Sequence, residues 1–404
     1  MTVQVRAIEP DEFETMRQTM GVVFGFDPPE GDERFRRLVP LDRTRCGFDE
    51  GQMVSTLGTF ALTMSVPGGA VPCGGTTMVA VVPTHRRRGL LREMMRSHLD
   101  DVREHEEPIA GLWASDSAIY GRFGYGCASV SYEVTVGRGH VDLHRLAPDA
   151  VPVRMIDRDE AVRVAPAVYD QLQVRYPGFF ARSPDWWESR SFNDTDASRH
   201  GATSLRYAVV DDEEGVAGYV TFRTKSDWDE GHGSGEVRVK DLFGTTPESW
   251  GALWSFVVSQ DLVSQTVADL RSPQDPIFDL LEGSRRARAV RSDGLWIRIM
   301  DLPKALMARA YSSPIEVVLG VSDPLGYVSG TYRLSADSAG AACSASNDEP
   351  DVLIDLEDLG SGYMGMPRFR ELARVGRVSG SDHALAAMDA AFHWDPQPWC
   401  PEIF

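Results

Sequence analysis

The stretch Val79-Ala-Val-Val-Pro-Thr-His-Arg-Arg-Arg-Gly-Leu-Leu-Arg92 decides the reading of this chain. An apolar run of strand length enters a Pro-containing turn, then passes three consecutive arginines and a glycine. Helical spacing follows, with Leu91, Met95, Leu99 and Val102 at intervals of 4, 4 and 3. A strand feeding a helix through such a loop aims the first backbone N–H groups of the helix, and the positive end of its dipole, at one point. Arg86, Arg87 and Arg88 stand at that point, and Gly89 lets an anion approach the backbone closely. Several convergent donors suit a pyrophosphate better than a lone carboxylate. The alternative is a solvated loop, but three arginines at a helix start are out of character in so acidic a chain.

The 404 residues carry 41 Lys+Arg against 60 Asp+Glu, a formal net charge of −19. Such a chain repels nucleic acid and suits a cationic small molecule or peptide, unless the charge serves only solubility. Hydrophobic residues at 42% and charged residues at 25% exclude bulk disorder, collagen and a disulfide-stapled miniprotein. Cys46, Cys73, Cys127, Cys343 and Cys400 are odd in number, scattered and never in a C-x-x-C pair. A disulfide framework and a structural zinc site are therefore not expected, and with no H-x-x-x-H spacing no metal is expected either. The reducing cytoplasm is the expected compartment, with non-classical export left open. The start MTVQVRAIEPDEF lacks an apolar core, and no run approaches the roughly 18 apolar residues of a membrane span. Neither a signal peptide nor a membrane span is expected.

The length suggests more than one domain. The pattern divides into blocks at residues 1–145, 146–302 and 303–404. In the first, helical spacing at Phe13, Met16, Met20, Val23 and Phe24 precedes strand-like runs at Met53–Phe60, Leu62–Pro67 and Thr76–Pro83. The helix Gly89–Glu106 and strands Pro108–Ala114 and Val130–Val136 follow. The second block predicts a helix over Ala161–Tyr176 and strands at Leu205–Asp211, Val216–Thr224 and Glu236–Phe243. A helix over Pro247–Asp261, capped by Thr245 or Thr246, comes next, then strands Val263–Arg271 and Gly294–Met300. Its element order repeats that of the first block, which suggests a duplicated fold. The third block reads as a helix over Lys304–Tyr311, strands at Ile315–Val321, Gly330–Ser335, Ala341–Ser346 and Val352–Leu356, and a helix over Asp382–Phe392. Its tail, WDPQPWCPEIF, is barred from helix by three prolines and is too aromatic to hang in water, so it is expected to dock. The fold class is α/β (α+β), with mixed sheets flanked by helices.

The loop Arg86-Arg-Arg-Gly89-Leu-Leu91 resembles the acetyl-CoA loop of the GNAT acetyltransferase superfamily, Arg/Gln-x-x-Gly-x-Gly/Ala, with Leu91 departing from the final small residue. Four segments together are similar to one branch of that superfamily. They are PTHRRRGLLREMM, PIAGLWASDSAIYGRFGYG, SDGLWIRIMDLPKALMARAY and the terminal aromatic residue. The chain is thereby identified as a member of the Eis (enhanced intracellular survival) family of N-acetyltransferases. The resemblance covers essentially the whole chain. It implies a catalytic GNAT domain, a second GNAT-like domain without a cofactor loop, and a sterol-carrier-protein-like domain. Where the first block has arginines, the second reads Asp241-Leu-Phe-Gly-Thr-Thr-Pro-Glu-Ser, so one acetyl-CoA per chain is expected.

The resemblance also assigns roles. Val79, Ala80 and Val81 would contact the cofactor along a strand edge. Arg87, Arg88, Gly89, Leu90, Leu91 and Arg92 would hold its phosphates, with Ser115 and Asp116 beside it. Tyr120 would be the general acid for the CoA thiolate, with Tyr125 as its competitor, and the carboxylate of Phe404 the general base. Phe24, Asp27, Phe35 and Met78 match substrate-pocket positions, although an Asp before Pro also suits a turn. The implied acceptor is an amine on a cationic molecule, aminoglycoside-like or a lysine side chain, and the implied assembly is a hexamer. Two other readings stand beside it: a lipid or sterol-type carrier, which has no need of the arginine loop, and a non-catalytic acetyl-CoA sensor.

Overall fold

Alternation of apolar and polar residues builds the longest strand. In the computed structural model, which describes residues 3–28, 33–138 and 151–404, Gln52–Val66 is one strand. The expected break near Ala61 does not occur. Ala61 and Thr63 are exposed while Phe60, Leu62 and Met64 are buried, so the period of two runs straight through.

In chain order the first strands are β1 (Gln4–Arg6), β2 (Cys46–Asp49), β3 (Gln52–Val66), β4 (Gly69–Val81), β5 (Ile109–Trp113) and β6 (Gly126–Cys127). Then come β7 (Val130–Gly137), β8 (Val153–Ile156), β9 (Arg206–Asp211), β10 (Val216–Lys225), β11 (Trp228–Asp229), β12 (His232–Gly233), β13 (Gly235–Gly244), β14 (Val263–Arg271) and β15 (Ala287–Asp293). The last are β16 (Leu295–Ile299), β17 (Ile315–Ser322), β18 (Gly330–Asp337), β19 (Gly340–Ala345), β20 (Val352–Asp355) and β21 (Val378–Gly380).

The chain forms two units. The first comprises Met1–Ser129, Asp293–Pro398 and Ile403–Phe404, and the second Val130–Ser292 and Trp399–Glu402. The first unit holds a seven-stranded sheet, β1-β2-β3-β4-β5-β16-β6, and a five-stranded sheet, β19-β18-β17-β20-β21. Met94, Met95, Leu99 and Val102 of the helix Leu90–Glu104 pack with Leu57, Ala110 and Leu112 of the larger sheet. A buried charge cluster fixes the far end of that helix. Asp101 accepts from Arg43 Nε and Arg45 Nη2, each at 2.8 Å, and Arg43 forks onto Glu107 at 2.8 and 2.7 Å. The second unit holds the sheet β15-β7-β14-β13-β10-β9-β8 around a core that includes Tyr169, Phe179, Phe243 and Trp254.

Chain order assigns Val130–Val136 to the first block and Gly294–Met300 to the second, and the structure exchanges them. β7 pairs with β14 in the second sheet. β16 enters the first, antiparallel to both β5 and β6. All five residues of β16 are buried, as a strand covered on both faces and paired on both edges must be. Apolar character marks such a strand as interior without saying to which sheet. The boundary at 145/146 lies outside the described residues. In the third block the helix expected over Lys304–Tyr311 runs from Leu302 to Met307, with Asp301 capping the Lys304 amide at 3.0 Å. The helix Leu356–Tyr363 escapes sequence reading because LEDLGSGY, with two glycines, has weak helix propensity. It is held by packing against β16 and β6.

Candidate active site

The parallel ladder between β4 and β5 is short. It runs from Cys73↔Ile109 to Gly75↔Gly111, although β4 continues to Val81 and β5 to Trp113. On their outer edges β4 stays paired with β3 to Val81, and β5 stays paired with β16 to Trp113. Only the facing edges part, leaving a wedge walled by backbone N–H and C=O groups that seek partners. A bulge accompanies the parting: Thr77 faces Gly58 but Ala80 faces Thr56, so β4 carries one extra residue, and Met78 takes φ 55°. The Thr56 hydroxyl donates to the Met78 carbonyl at 2.7 Å and holds the bulge. Val79, Ala80 and Val81 therefore lie along one side of the wedge.

Beyond Val81 the chain makes a turn over Pro83–His85. His85 is anchored between Asp49, 3.0 Å from its Nε2, and the Thr84 hydroxyl, 2.8 Å from its Nδ1. Arg86 Nε folds back onto the Val81 carbonyl at 3.2 Å. Arg87 at φ 64° and Gly89 at φ 88° are both left-handed, and Gly89 N-caps the helix Leu90–Glu104 without a side-chain bond. No atom would lie within 4 Å of a Cβ on Gly89, so glycine is needed there for conformation and not for space. The first amide groups of the helix are thus left for an anion or water. Arg87, Arg88 and Arg92 are exposed, Leu91 is half-buried and Leu90 is buried. Among the described residues, Arg87 and Arg88 have no ion-pair partner.

Ser115 and Asp116 follow the end of β5 and are exposed. Asp116 caps the short helix Ser117–Tyr120 through the Ala118 amide at 3.0 Å. That helix brings Tyr120 back inside, where it is buried. Burial raises its pKa, with a hydrogen bond to Ser115 acting the other way. The competitor, Tyr125, is engaged elsewhere. It is fully buried, bonded to Thr76 Oγ1 at 2.9 Å, and its ring stands edge-on to Tyr120 at 6.2 Å.

Thr76 also lies 2.7 Å from His98 Nε2, and Thr59 lies 2.8 Å from His98 Nδ1. Burial lowers the His98 pKa to about 3, so the ring is neutral. This buried chain, Thr59–His98–Thr76–Tyr125, passes through Thr76, the first residue of β4 past the ladder. Sequence reasoning missed it, although a histidine one residue before Leu99 on the apolar face of a helix is a signal. Trp113, the last residue of β5, has a buried indole N–H that no described residue accepts.

The expected substrate residues divide. Phe24 ends the helix Phe13–Phe24 and is exposed, and Asp27 lines a groove of about 340 Å³ with Gln18, Val22 and Phe26. The Phe35 ring lies 6.2 Å from Phe13. Met78 is buried, its methyl filling the space beside Gly58. Phe404 is buried and belongs to the same unit as Tyr120.

Known proteins share this architecture. Residues 4–128 and residues 178–299 each match the acetyltransferase (GNAT) domain, and residues 302–401 match the sterol carrier protein domain. An uncharacterised N-acetyltransferase of Streptomyces coelicolor is 37% identical over the whole of both chains. The N-acetyltransferase Eis of Mycobacterium bovis is 33% identical over 98% of each. Among solved structures, Eis1 from Mycobacterium abscessus is 27% identical and superposes with a TM-score of 0.84 over 99% of this chain and 100% of that one.

Proposed function

Because the chain belongs to the Eis family of GNAT N-acetyltransferases, we propose that it moves the acetyl group of acetyl-CoA to a primary amine of a cationic acceptor, an aminoglycoside-like molecule or a lysine side chain. The observation that carries this reading is the wedge between β4 and β5, which ends at a helix terminus with no side-chain cap, beside Arg87 and Arg88, which have no ion-pair partner among the described residues, and lies near in sequence to a buried tyrosine. Phosphates bind Arg87, Arg88, Arg92 and the amides from Gly89 onward, and the pantetheine arm follows Val79–Val81, with Ser115 and Asp116 opposite. One acetyl-CoA binds per chain. The domains divide at 1–145, 146–302 and 303–404, except that β7 and β16 each complete the sheet of the other block, and catalysis lies in the first.

Acetyl transfer requires a held thioester, a deprotonated amine and a proton for the departing thiolate. Tyr120 keeps its proton through the neutral range, because burial pushes its pKa up, and so remains a donor to the CoA sulfur. The carboxylate of Phe404 receives the proton from the amine. A free carboxylate and an alkyl ammonium differ by roughly 7 pKa units, about 9 kcal/mol, so the carboxylate acts desolvated, or through a water, or by orienting the amine. Phe24, Asp27, Phe35 and Met78 line the acceptor side, and the net charge of −19 favours the approach of a polycation.

Thiol release from acetyl-CoA across a panel of amines tests the reaction, and no release with any polyamine or aminoglycoside would sink it. Residues appended after Phe404 should abolish turnover with acetyl-CoA binding intact, and unchanged kcat would remove the terminal base. The reading extends to a cytoplasmic hexamer, for which light scattering of the purified chain is the check. No helix among the described residues is long and apolar enough to cross a membrane.

A further inference from the structure

The second GNAT-like sheet has a wedge of its own. β10 and β13 pair antiparallel with a bulge, since Thr221 faces Asp241 but Phe222 faces Val239, as β3 and β4 do in the first sheet. The parallel ladder of β13 with β14 ends at Val239↔Ala268, while β13 continues to Gly244 and β14 to Arg271. The mouth of this second wedge is built differently. Only Thr245 and Thr246 separate β13 from the helix Pro247–Val258, whose N-terminus is closed by a capping box between Thr246 and Ser249. Those two amides are already satisfied, and the run 241–249 holds no arginine.

The space between these strands is taken by the protein itself. The Trp399 indole N–H donates to the Leu270 carbonyl of β14 at 2.6 Å, and its ring lies 5.6 Å from Phe243 of β13. Leu270 adopts φ 55°, a left-handed conformation rare for leucine, at the break in its own ladder. The guanidinium of Arg271 sits 5.0 Å from the Trp399 ring and reaches across to the Leu242 carbonyl at 3.1 Å. The Trp399 amide donates to Pro177 O at 2.8 Å, and Gly178, at φ 96°, passes so close that a Cβ would lie 2.9 Å from the Trp399 carbonyl oxygen. Arg182, buried over the Tyr169 ring at 4.0 Å, joins Asp241 of the bulge at 3.1 Å to Glu402 of the tail at 2.9 Å. Asp241, the acid that replaces the arginines of the first block, is thus one anchor of a tail clamp.

We infer that the second GNAT-like domain is a receptor for the chain's own C-terminal segment, its ligand being an extended peptide with an indole and, three residues on, a carboxylate. The opening that takes the pantetheine arm in the first domain takes Trp399–Glu402 in the second. The clamp holds the chain two residues before Phe404, and the receptor assignment does not rest on the proposed role of that residue.

The experiment uses the full chain. Hydrogen exchange on the unmodified protein should show the Trp399 amide protected like those of β14, and exchange at the rate of an unstructured peptide overturns the inference. Carboxypeptidase digestion followed by mass spectrometry should leave the wild-type end resistant, while Trp399→Ala is trimmed at least tenfold faster and Glu402→Gln to an intermediate degree. Equal trimming of all three overturns it. The trimmed Trp399→Ala protein separates the two readings. If it binds acetyl-CoA with normal Kd and has lost turnover, receptor and terminal base both stand. If it turns over normally, the base role of Phe404 falls and the receptor remains.

Discussion

Arg298 and Asp323 form an ion pair of 2.8 Å in which neither side chain has any solvent exposure. Arg298 also donates to the Phe123 carbonyl, inside the turn between Tyr120 and Tyr125. Asp323 also accepts from the amides of Leu325, Tyr327 and Val328 at 3.0, 2.8 and 3.2 Å. Removing one member leaves the other charge buried and uncompensated. Arg298→Met should therefore cost about 3–5 kcal/mol in urea unfolding. A loss below about 1 kcal/mol would show that the pair is not what holds this turn.

Tyr120→Phe removes the proposed proton donor and little packing. Loss of a general acid is worth about 10²–10⁴ in rate, and kcat should fall within that range while the Kd for acetyl-CoA stays near wild type. The wild-type kcat should show no alkaline fall assignable to this phenol below about pH 10, since burial moves its pKa upward from the ordinary value. Full activity in the variant would return the role to water or to Tyr125.

Arg87→Ala with Arg88→Ala should weaken acetyl-CoA binding by about 10–100-fold for each charge-assisted hydrogen bond removed, measured by calorimetry. Both side chains are exposed, so the melting temperature of the unliganded protein should hold. Gly89→Ala meets no neighbour but must adopt φ 88°, a strain of about 1–2 kcal/mol. Equal affinity in the double variant would mean that the loop does not hold the phosphates.

His98 ties folding to pH. Its folded pKa, lowered to about 3 by burial, lies below the unfolded value of about 6.5. Between those values the unfolded chain binds the extra proton, so this contribution is complete above about pH 6.5 and is lost as pH falls toward 3. In urea titrations His98→Gln should be less stable at pH 7 than wild type, yet lose less stability from pH 7 to 4. Parallel pH slopes for the two proteins would contradict a neutral buried imidazole.

The strand–loop–helix at Val79–Arg92 could be read in advance because its signals are local: an apolar run, a turn, a glycine and a helical period. Docking of the tail followed from its aromatic content, and Trp399 is indeed only 1% exposed. The exchange of β7 and β16 could not be read, because pairing Leu295 with Trp113 is a long-range event with no local signature. The same reason hid the chain Thr59–His98–Thr76–Tyr125, whose members come from different elements and meet only in the fold. Asp241 was legible as an unusual acid but not as the partner of Arg182, which also pairs with Glu402, for both residues lie far from it in sequence.

The exchanged strands also bear on how the protein is made and inherited. β5 leaves the ribosome long before β16, and until Leu295–Ile299 follows, its later-paired edge presents bare backbone groups on an apolar strand. A growing chain therefore passes through a prolonged stage in which that edge is open to aggregation, and a gene fragment ending near residue 128 would produce that stage permanently. The two copies of the fold can no longer be separated by recombination between them, and a crossover at that point yields two incomplete sheets rather than two independent domains.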